Sequence, residues 1–516
     1  MKTSALLLAS LLAALSPLDA ASKPNVIFIL CDDLGYGDVK CFNPEGKIAT
    51  PQMDQMAARG MKFTDAHTPS SVCSPTRYGV ITGRYSWRSR LQSGVLGGLS
   101  PRLIEENRMT VASMLKENGY KTACIGKWHI GMDWEKLPGK TVNELGIENK
   151  DQVHNVDYAK PITNGPNSVG FDYYYGISAS LDMVPYTFIE NTKVTVVPSM
   201  EREFPMTQGR NDGKCRLGPA APEFEVEDVL PKLTDRTVSY IKEQATAAKE
   251  GNPFFIYMPL NAPHTPIAPS KEWQGKSGIS PYADFVMETD AMIGKVLATV
   301  KEQGLEENTL IIVTSDNGCS PHADFKELLS KGHNPSYVYR GYKADIYDGG
   351  HRVPFIVQWP ATVKAGSSSD QLICLTDFMA TAADAAGVKI PESAAEDSFS
   401  FLSLLQGKQE PTRPNVIHHS INGSFAIREG SWKLELCPGS GGWSDPRPGK
   451  EAKDAPLVQL FDLSKDIGEK NNIQAEHPEI VAKLTKLLEK QVTEGRSTTG
   501  APQKNTVEPV IWKSKK

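Results

Sequence analysis

The chemistry that this sequence could perform is first indicated by Cys73 and by Arg77, four residues later. The surrounding residues predict a loop that runs into a helix, because Ser74 can cap it, Pro75 suits its first turn and Gly83 can end it. Cys73 would then lie among unpaired backbone N–H groups, which attract anions, and Arg77 would add positive charge on the same face. Taken alone, such a cysteine is more often a buried free thiol.

Two acidic segments each follow a short apolar run. Asp32 and Asp33 follow the first run, and Asp316 and Asn317 follow the second. The carboxyl ends of parallel strands meet at one edge of a sheet, and three carboxylates gathered there repel unless a cation joins them. All-oxygen ligation suits Ca²⁺ or Mg²⁺, and a site open to an anionic substrate favours Ca²⁺. Each motif alone is more often a turn or a helix cap.

Three further segments supply positive charge or a titratable ring. Lys127 and His129 stand two residues apart inside a glycine-bracketed motif, so in an extended segment both would point to the same side. His264 lies between two prolines, which restrict its backbone, and Lys343 lies in a later motif. As a lone pair, Lys127 and His129 would more often be surface residues, and His264 could have a structural role.

Taken in order, these segments resemble the motifs of the type I, formylglycine-dependent, arylsulfatase-like sulfatases. The Cys-x-Pro-x-Arg motif is followed by Thr-Gly-Arg, and Gly-Lys-Trp-His-x-Gly stands at 126–131. The resemblance extends motif by motif from Asn25 to about Pro354 and is weaker beyond. The sequence departs from the family pattern at Ile81, where leucine is common, and at Asp348, where many members have glutamate.

The resemblance implies an enzyme that cleaves the S–O bond of a sulfate monoester. In that family a formylglycine-generating enzyme oxidises the cysteine, here Cys73, and the hydrated aldehyde attacks sulfur. The resemblance also implies one Ca²⁺ ion. The roles it assigns are metal binding by Asp32, Asp33, Asp316, Asn317 and the modified Cys73, sulfate binding by Lys127, Lys343 and His264, activation of the nucleophile by Arg77, and proton transfer by Asp316, His129 and His264.

Substrate contacts are expected from the weakly periodic segment between about residues 133 and 231 and from the late motif. Aromatic residues commonly stack on sugar faces, and polar groups can read sugar hydroxyls, which an aryl sulfate lacks. We therefore expect a carbohydrate O-sulfatase that acts on a terminal sulfated sugar of a polysaccharide or glycosaminoglycan. Any of the candidates could instead be core or loop structure. They are Tyr173, Tyr174, Tyr175, Tyr186, Ser180, Asp182, His351 and Arg352.

Two other functions remain open at this point. A phosphonate or phosphate ester hydrolase of the same superfamily can carry the same cysteine motif, and rates on matched sulfate and phosphate esters would distinguish it. A non-catalytic protein that binds sulfated glycans is the third possibility. Such a protein would tolerate loss of the nucleophile, yet every expected catalytic residue type is present.

The N-terminal residues indicate an exported protein. Residues 1–20 combine a lysine, an apolar run and small residues, which is typical of a signal peptide, so we expect a periplasmic or extracellular location. No later segment is apolar for long enough to span a membrane, so stable membrane insertion is not expected. The net charge of −5 does not suggest nucleic-acid binding. The eight cysteines form no dense framework, although one or two disulfides remain possible.

Strand-like and helical segments alternate along most of the chain, which predicts an α/β sheet with helices on both faces. The family resemblance implies an alkaline-phosphatase-like sandwich with a mostly parallel central sheet. We assign this domain to residues 21–400 and a small α+β subdomain, with an antiparallel sheet and a helix, to residues 401–516. The segment 133–231 is expected to form long loops over the sheet edge, and the tail after Thr493 to be loose.

Overall fold

The computed structural model describes residues 23–513, so the predicted signal peptide at 1–20 lies outside the described residues. The strands are β1 (Asn25–Cys31), β2 (Met61–Phe63), β3 (Ala66–His67), β4 (Lys121–Lys127), β5 (Tyr173–Ile177), β6 (Ile189–Glu190), β7 (Lys193–Val194), β8 (Met200–Arg202), β9 (Gly218–Ala220), β10 (Phe254–Pro259), β11 (Thr309–Ser315), β12 (Phe355–Gln358), β13 (Ser367–Ser369), β14 (Ile373–Cys374), β15 (Asn415–His419), β16 (Phe425–Glu429), β17 (Trp432–Glu435) and β18 (Gln459–Asp462). The helices are α1 (Pro51–Arg59), α2 (Cys73–Thr82), α3 (Val111–Glu117), α4 (Val229–Lys249), α5 (Pro281–Glu302), α6 (Phe325–Ser330), α7 (Asp348–His351), α8 (Phe378–Ala385), α9 (Leu402–Leu405) and α10 (Pro478–Thr493).

A ten-stranded sheet forms the centre of the fold, in the order β13-β2-β12-β11-β1-β10-β4-β5-β6-β7. Strands β11, β1, β10, β4 and β5 pair in parallel, whereas β12 and β6 run against both of their neighbours. Parallel neighbours need long crossover connections, which explains the alternation of strands and helices along the sequence. The prediction of a mostly parallel α/β sheet is confirmed.

The central strand β1 shows why helices cover both faces of this sheet. Every residue of β1 is buried, and its side chains alternate between two cores. Ile27 and Ile29 pack with residues of α1, α4 and α5, whereas Phe28 and Leu30 pack with residues of α2, α3 and α8. Because successive side chains of a strand point to opposite faces, a fully apolar strand requires a helical layer on each side.

A four-stranded antiparallel sheet, in the order β15-β16-β17-β18, follows in the C-terminal part and packs with α10. This agrees with the small α+β subdomain expected there. The core of this small sheet also includes Tyr85 and Trp87, which follow α2 in the chain. Phe401 and Leu404, which lie beyond the boundary proposed at residue 400, pack instead in a core of the large sheet. The exact division into domains stays a prediction.

Two segments differ from the sequence-based expectation. The expected loops between residues 133 and 231 include β5, which joins the central sheet as a parallel strand; its run of tyrosines is rich in β-forming residues. The tail after α10 is not loose over its described length. The backbone N–H of Thr506 donates to the Arg88 carbonyl at 2.7 Å, and the Asn505 side chain accepts from Arg88 Nη1 at 3.1 Å.

All eight cysteines are unbridged, so neither of the disulfides left open by the sequence is formed. Cys31 and Cys124 are fully buried in the cores, as expected. Within residues 23–513, no helix combines the length and the apolar character that a membrane crossing requires.

Candidate active site

Four neighbouring strands end at the same edge of the sheet and carry the predicted motifs there. Because β11, β1, β10 and β4 are parallel neighbours, their carboxyl ends lie side by side although the chain segments are far apart in sequence. The residues at these ends are Asp316 and Asn317 after β11, Asp32 and Asp33 after β1, His264 shortly after β10, and Lys127 as the last residue of β4.

Helix α2 begins at this edge with Cys73 as its first residue. The prediction that Ser74 caps the helix is wrong, because Val72 is the N-cap and Ser74 Oγ instead accepts a hydrogen bond from the Leu96 N–H at 3.1 Å. Gly83 ends the helix as predicted, with a left-handed φ of 63° that glycine adopts at low cost. Cys73 therefore lies in the first helical turn, where backbone N–H groups have no intrahelical acceptor.

Arg77 lies one turn into α2 and is fully buried. Its Nε and Nη2 atoms donate to Asp316 Oδ2 at 3.0 and 2.7 Å, and Nη1 donates to the Lys127 carbonyl at 2.9 Å. Nη2 also lies 3.6 Å from Asp32 Oδ1. One guanidinium group thus connects α2 to the ends of three strands.

Two lysines neutralise the carboxylates that follow β1. Lys127 Nζ donates to Asp32 Oδ2 at 2.6 Å, and Lys343 Nζ lies 2.7 Å from Asp33 Oδ1 and 2.9 Å from Oδ2. Burial alone would lower the pKa of Lys343, but the Asp33 carboxylate raises it above its ordinary value. Burial raises the pKa of the Cys73 thiol, although both lysines oppose this. The predicted sulfate-binding cations therefore lie around Cys73.

The oxygen atoms at this edge fit a hard divalent cation. Burial and the neighbouring Asp32 raise the pKa of Asp316 to about 7, which shows that the carboxylates repel one another. Asp32 Oδ1 and Asn317 Oδ1 are buried without a hydrogen-bond partner, while Asn317 Nδ2 donates to Asp33 Oδ1 at 2.7 Å. Ligand atoms of Asp32, Asp33 and His264 lie within 4.8 Å of one another. Carboxylate and amide oxygens are the donors that Ca²⁺ prefers.

His129 is a buried base at the end of the β4 motif. Its Nε2–H donates to the Leu96 carbonyl at 2.8 Å, and its Nδ1 has no hydrogen-bond partner. Burial and the charge of Lys127 hold the pKa of His129 well below its ordinary value, so the ring is neutral with Nδ1 free to accept a proton. The assumption of an extended segment is wrong here, because His129 has a left-handed φ of 55°.

His264 is fixed by its other ring nitrogen. Its Nδ1–H donates to the Thr265 carbonyl at 2.6 Å, and Nε2 lies 3.7 Å from Asp33 Oδ2. Burial and the charge of Lys343 lower the pKa of His264, whereas Asp33 opposes this. In the neutral ring Nε2 carries no proton, so His264 must take one up before it can act as an acid.

Part of the predicted site opens into a cavity of about 690 Å³. Cys73, His264 and Lys343 line this cavity together with Ser180 and Asp182. One oxygen of Asp182 accepts a hydrogen bond from an arginine at 2.7 Å, but its Oδ1 and Ser180 Oγ are buried without a partner. Two residues that line the cavity beside Cys73 thus each carry a buried polar atom without a hydrogen-bond partner.

The structure does not bring His351 and Arg352 to this cavity. His351 is fully buried, with Nδ1 3.0 Å from His67 Nδ1, and Arg352 pairs with Asp65 at 2.6 Å and with Asp348 at 3.1 Å. The late motif turns after Lys343 and carries these residues away towards β3 and the C-terminal sheet. The tyrosines expected to stack on sugar do not line it either; they are Tyr173, Tyr174, Tyr175 and Tyr186.

Most lining residues were not predicted from the sequence, and four of them show which segments supply the cavity walls. Arg216 comes from the middle segment, His322 from the loop before α6, and Ile421 and Trp443 from the C-terminal sheet region. Of these four segments, only the loop around Trp443 is marked in the sequence. Its glycines and prolines indicate an irregular segment, but they do not indicate that it lies at the cavity. The fold and the site together place Cys73, two lysines and clustered carboxylates at the carboxyl edge of a mostly parallel α/β sheet.

Comparisons with known proteins identify the family. The sulfatase family matches residues 24–388 of this chain. An N-acetylgalactosamine-6-O-sulfatase from Bacteroides thetaiotaomicron is 33% identical, with 91% of this chain and 93% of the relative covered. Human arylsulfatase A is 30% identical, with 92% of this chain and 89% of the relative covered. A solved structure from work on the metabolism of multiple glycosaminoglycans by Bacteroides thetaiotaomicron is 32% identical, with a TM-score of 0.76 over 91% of this chain and 99% of that one.

The chain belongs to the sulfatase family and is an enzyme that hydrolyses sulfate esters. The alkaline-phosphatase-like sandwich that the motifs implied agrees with these structural neighbours. Of the three functions left open by the sequence, sulfate ester hydrolysis is therefore the one that is supported.

Proposed function

We propose that this chain is an exported, formylglycine- and calcium-dependent sulfatase that acts on a sulfated carbohydrate. The observation that carries the proposal is the single cavity in which Cys73 shares the lining with Lys343, His264 and the unpartnered polar atoms of Ser180 and Asp182. A sulfate ester needs cations around its oxygens, and a sugar needs polar groups for its hydroxyls. This cavity offers both.

Asp32, Asp33, Asp316 and Asn317 would hold the calcium ion, with the modified Cys73 beside them. When bound, calcium would neutralise the clustered carboxylates and polarise sulfate, and formylglycine at position 73 would supply a hydrated aldehyde as nucleophile. The buried, unpartnered oxygens of Asp32 and Asn317 support this ligand set.

The chain's own residues orient the ester and move protons. Lys127 and Lys343 bind the sulfate oxygens, and Arg77 fixes the first turn of α2 against the carboxylate of Asp316. His129 accepts a proton at its free Nδ1, because its lowered pKa keeps the ring neutral and its Nε2–H is already bound to a carbonyl. His264 delivers a proton from Nε2 to the leaving alcohol, because the negative charge of the bound ester favours its protonated form.

Asp316 is proposed to accept a proton during the same cycle. With no ion bound, burial and the neighbouring Asp32 raise the pKa of Asp316 to about 7, so this carboxyl group takes up a proton more readily than an ordinary aspartate. Arg77 directs both Nε and Nη2 at Oδ2 of Asp316, whereas Oδ1 accepts a longer hydrogen bond from the Asp33 backbone N–H at 3.3 Å.

Two features support a sugar as the substrate. Asp182 Oδ1 and Ser180 Oγ can accept hydrogen bonds from hydroxyl or amide N–H groups, and both atoms are buried, so a ligand lacking those groups leaves them unpaired. The similarity to an N-acetylgalactosamine-6-O-sulfatase makes the 6-sulfate of an amino sugar the first substrate to test. We propose a terminal sulfated residue of a glycosaminoglycan or related polysaccharide.

The proposal is tested by sulfate release from N-acetylgalactosamine 6-sulfate and from a nitrophenyl sulfate. We expect a higher kcat/KM on the sugar, and we expect Asp182→Asn to lower that value by about tenfold or more while changing the aryl value little. Asp228→Asn, at the start of α4 and outside the cavity, is the control. A preference for the aryl ester that Asp182→Asn leaves unchanged would contradict the carbohydrate assignment.

Export and maturation are tested on the protein recovered from its host. The apolar run within residues 1–20 supports export, so the mature chain is expected to begin after about residue 20 and to be found in the periplasm or medium. A formylglycine-generating enzyme is the expected partner during synthesis. An intact N-terminus on fully active protein retained in the cytoplasm would contradict the localisation.

A further inference from the structure

The C-terminal subdomain reaches the active-site cavity through one loop. Residues 437–450 form the first part of the connection between β17 and β18. Trp443 of this loop lines the cavity together with Cys73 and Lys343. The other tryptophans do not line it. Among the described residues that line the cavity, Trp443 is also the single side chain with a phenyl or indole ring. An aromatic surface for a sugar must therefore come from Trp443, because the tyrosines of the middle segment lie elsewhere.

The backbone around Trp443 is fixed by one buried carboxylate. Asp345 Oδ1 accepts hydrogen bonds from the N–H groups of Trp443 at 2.8 Å and Ser444 at 3.0 Å, and Asp345 Oδ2 accepts from the N–H of Tyr342 at 3.1 Å. The Trp443 carbonyl accepts from the Tyr342 hydroxyl at 3.3 Å. Because both backbone groups of Trp443 are engaged, the partly exposed indole is the part of this residue available to a ligand.

The same short segment carries the sulfate-binding lysine. Lys343 lies between Tyr342 and Asp345, and the N–H of Ala344 donates to the Ser71 carbonyl at 2.8 Å, two residues before Cys73. The backbone that carries the indole is therefore tied to the segments that carry Cys73 and Lys343. A group that stacks on Trp443 would lie in the same cavity as Cys73 and Lys343.

We propose that Trp443 is a specificity-determining residue that stacks against the sugar ring bearing the sulfate ester, with Asp345 as the residue that positions it. This inference rests on the proposed carbohydrate substrate and names the group that binds its apolar face. A pyranose ring presents C–H groups on its faces and hydroxyls at its edge, so Trp443 contacts the face while Asp182 and Ser180 bind edge groups. The C-terminal subdomain thus contributes directly to substrate binding.

The test separates the sugar from the sulfate. Three sulfated sugars are first compared with the wild-type enzyme: N-acetylgalactosamine 6-sulfate, N-acetylglucosamine 6-sulfate and galactose 6-sulfate. The sugar that is hydrolysed fastest is then used as the substrate. For Trp443→Ala we expect KM to rise about tenfold with kcat within about threefold, because stacking binds ground state and transition state alike. The Ki of inorganic sulfate, which lacks the sugar, should stay unchanged. Trp443→Phe should recover most of the loss.

The controls decide among the possible outcomes. Trp512→Ala, an exposed tryptophan outside the cavity, should leave KM unchanged. An unchanged KM in Trp443→Ala, or an equal loss of affinity for inorganic sulfate, would overturn the inference, since the latter would mean that Lys343 had moved. If the wild-type enzyme hydrolyses none of the three sugars but does hydrolyse nitrophenyl sulfate, the carbohydrate assignment itself fails, and that outcome is distinguishable from failure of Trp443 alone.

Discussion

Arg77 and Asp316 are joined by two charge-assisted hydrogen bonds, from Nε and Nη2 to the same carboxylate oxygen, at 3.0 and 2.7 Å. Both side chains are completely buried, and they come from chain segments 239 residues apart. The pair connects the helix that begins with Cys73 to the strand end that supplies two proposed metal ligands. A single guanidinium group therefore fixes the position of Cys73 relative to the proposed metal site.

Replacing Arg77 should damage catalysis and stability together. Arg77→Lys keeps a positive charge but cannot donate the paired hydrogen bonds from Nε and Nη2, so we expect kcat to fall by about 100-fold or more. Arg77→Ala leaves the buried Asp316 carboxylate uncompensated, which costs about 3–5 kcal/mol of unfolding free energy. Steady-state kinetics and denaturant unfolding measure both effects. Arg90→Lys, at a partly exposed ion pair, is the control, and wild-type kcat in Arg77→Lys would refute the assigned role.

Oxidation of Cys73 is predicted to determine activity. Enzyme produced together with a formylglycine-generating enzyme should show the aldehyde in the peptide containing Cys73 by mass spectrometry, and activity should scale with the aldehyde fraction. Cys73→Ala should be inactive with unchanged stability, since a small buried group replaces another. Cys41→Ala, outside the motif, should keep full activity. Full activity from protein that carries only the free thiol would exclude this chemistry.

Calcium is predicted to stabilise the protein as well as to activate it. Because the ion binds the folded state, Tm should rise with Ca²⁺ concentration and fall after chelation, and Mg²⁺ should substitute poorly. Asp316→Ala or Asn317→Ala should abolish the Ca²⁺-dependent rise in Tm and most of the turnover. Asp65→Asn, at a buried ion pair outside the site, should lower Tm but retain the rise. A Ca²⁺-independent Tm in the wild-type protein would contradict the proposed metal site.

Stability is predicted to fall with acidification through His419 at the end of β15. Burial and the nearby Lys513 lower the pKa of His419 to about 3, from 6.5 in the unfolded chain. Below pH 6.5 the unfolded chain therefore binds a proton that the folded chain does not, so this contribution is complete above pH 6.5 and is lost progressively as the pH falls towards 3. The slope for one proton is about 1.4 kcal/mol per pH unit.

Denaturant unfolding of His419→Gln between about pH 7.5 and about pH 5 measures this slope. As the pH falls, the unfolding free energy of the variant should decrease less steeply than that of the wild-type protein. The two slopes should differ by at most the value for one proton. His477→Gln, an exposed histidine preceding α10, should keep the wild-type slope. Identical slopes for the wild-type protein and His419→Gln would show that His419 does not contribute.

The sequence alone indicated the candidate chemistry and the apolar runs that form the centre of the main sheet. Apolar runs such as the one in β1 predict strands because full burial on both faces requires them to be apolar. The acidic pair Asp32 and Asp33, the second pair Asp316 and Asn317 and the short motif around Cys73 could be assigned because motif spacing is local information. The candidate residues therefore followed from patterns within about a dozen residues, the sulfatase family from the order of those motifs, and the α/β class from the alternation of strand-like and helical segments along the chain.

The tertiary structure alone decided which of those residues meet. Lys343 and His351 belong to one motif, yet the chain turns between them, so one lines the cavity and the other packs beside His67. Trp443 enters the cavity from a subdomain about 370 residues after Cys73, a distance that no local pattern spans. Such contacts depend on strand order and on the return path of each loop, which are fixed by packing of the whole chain rather than by local periodicity.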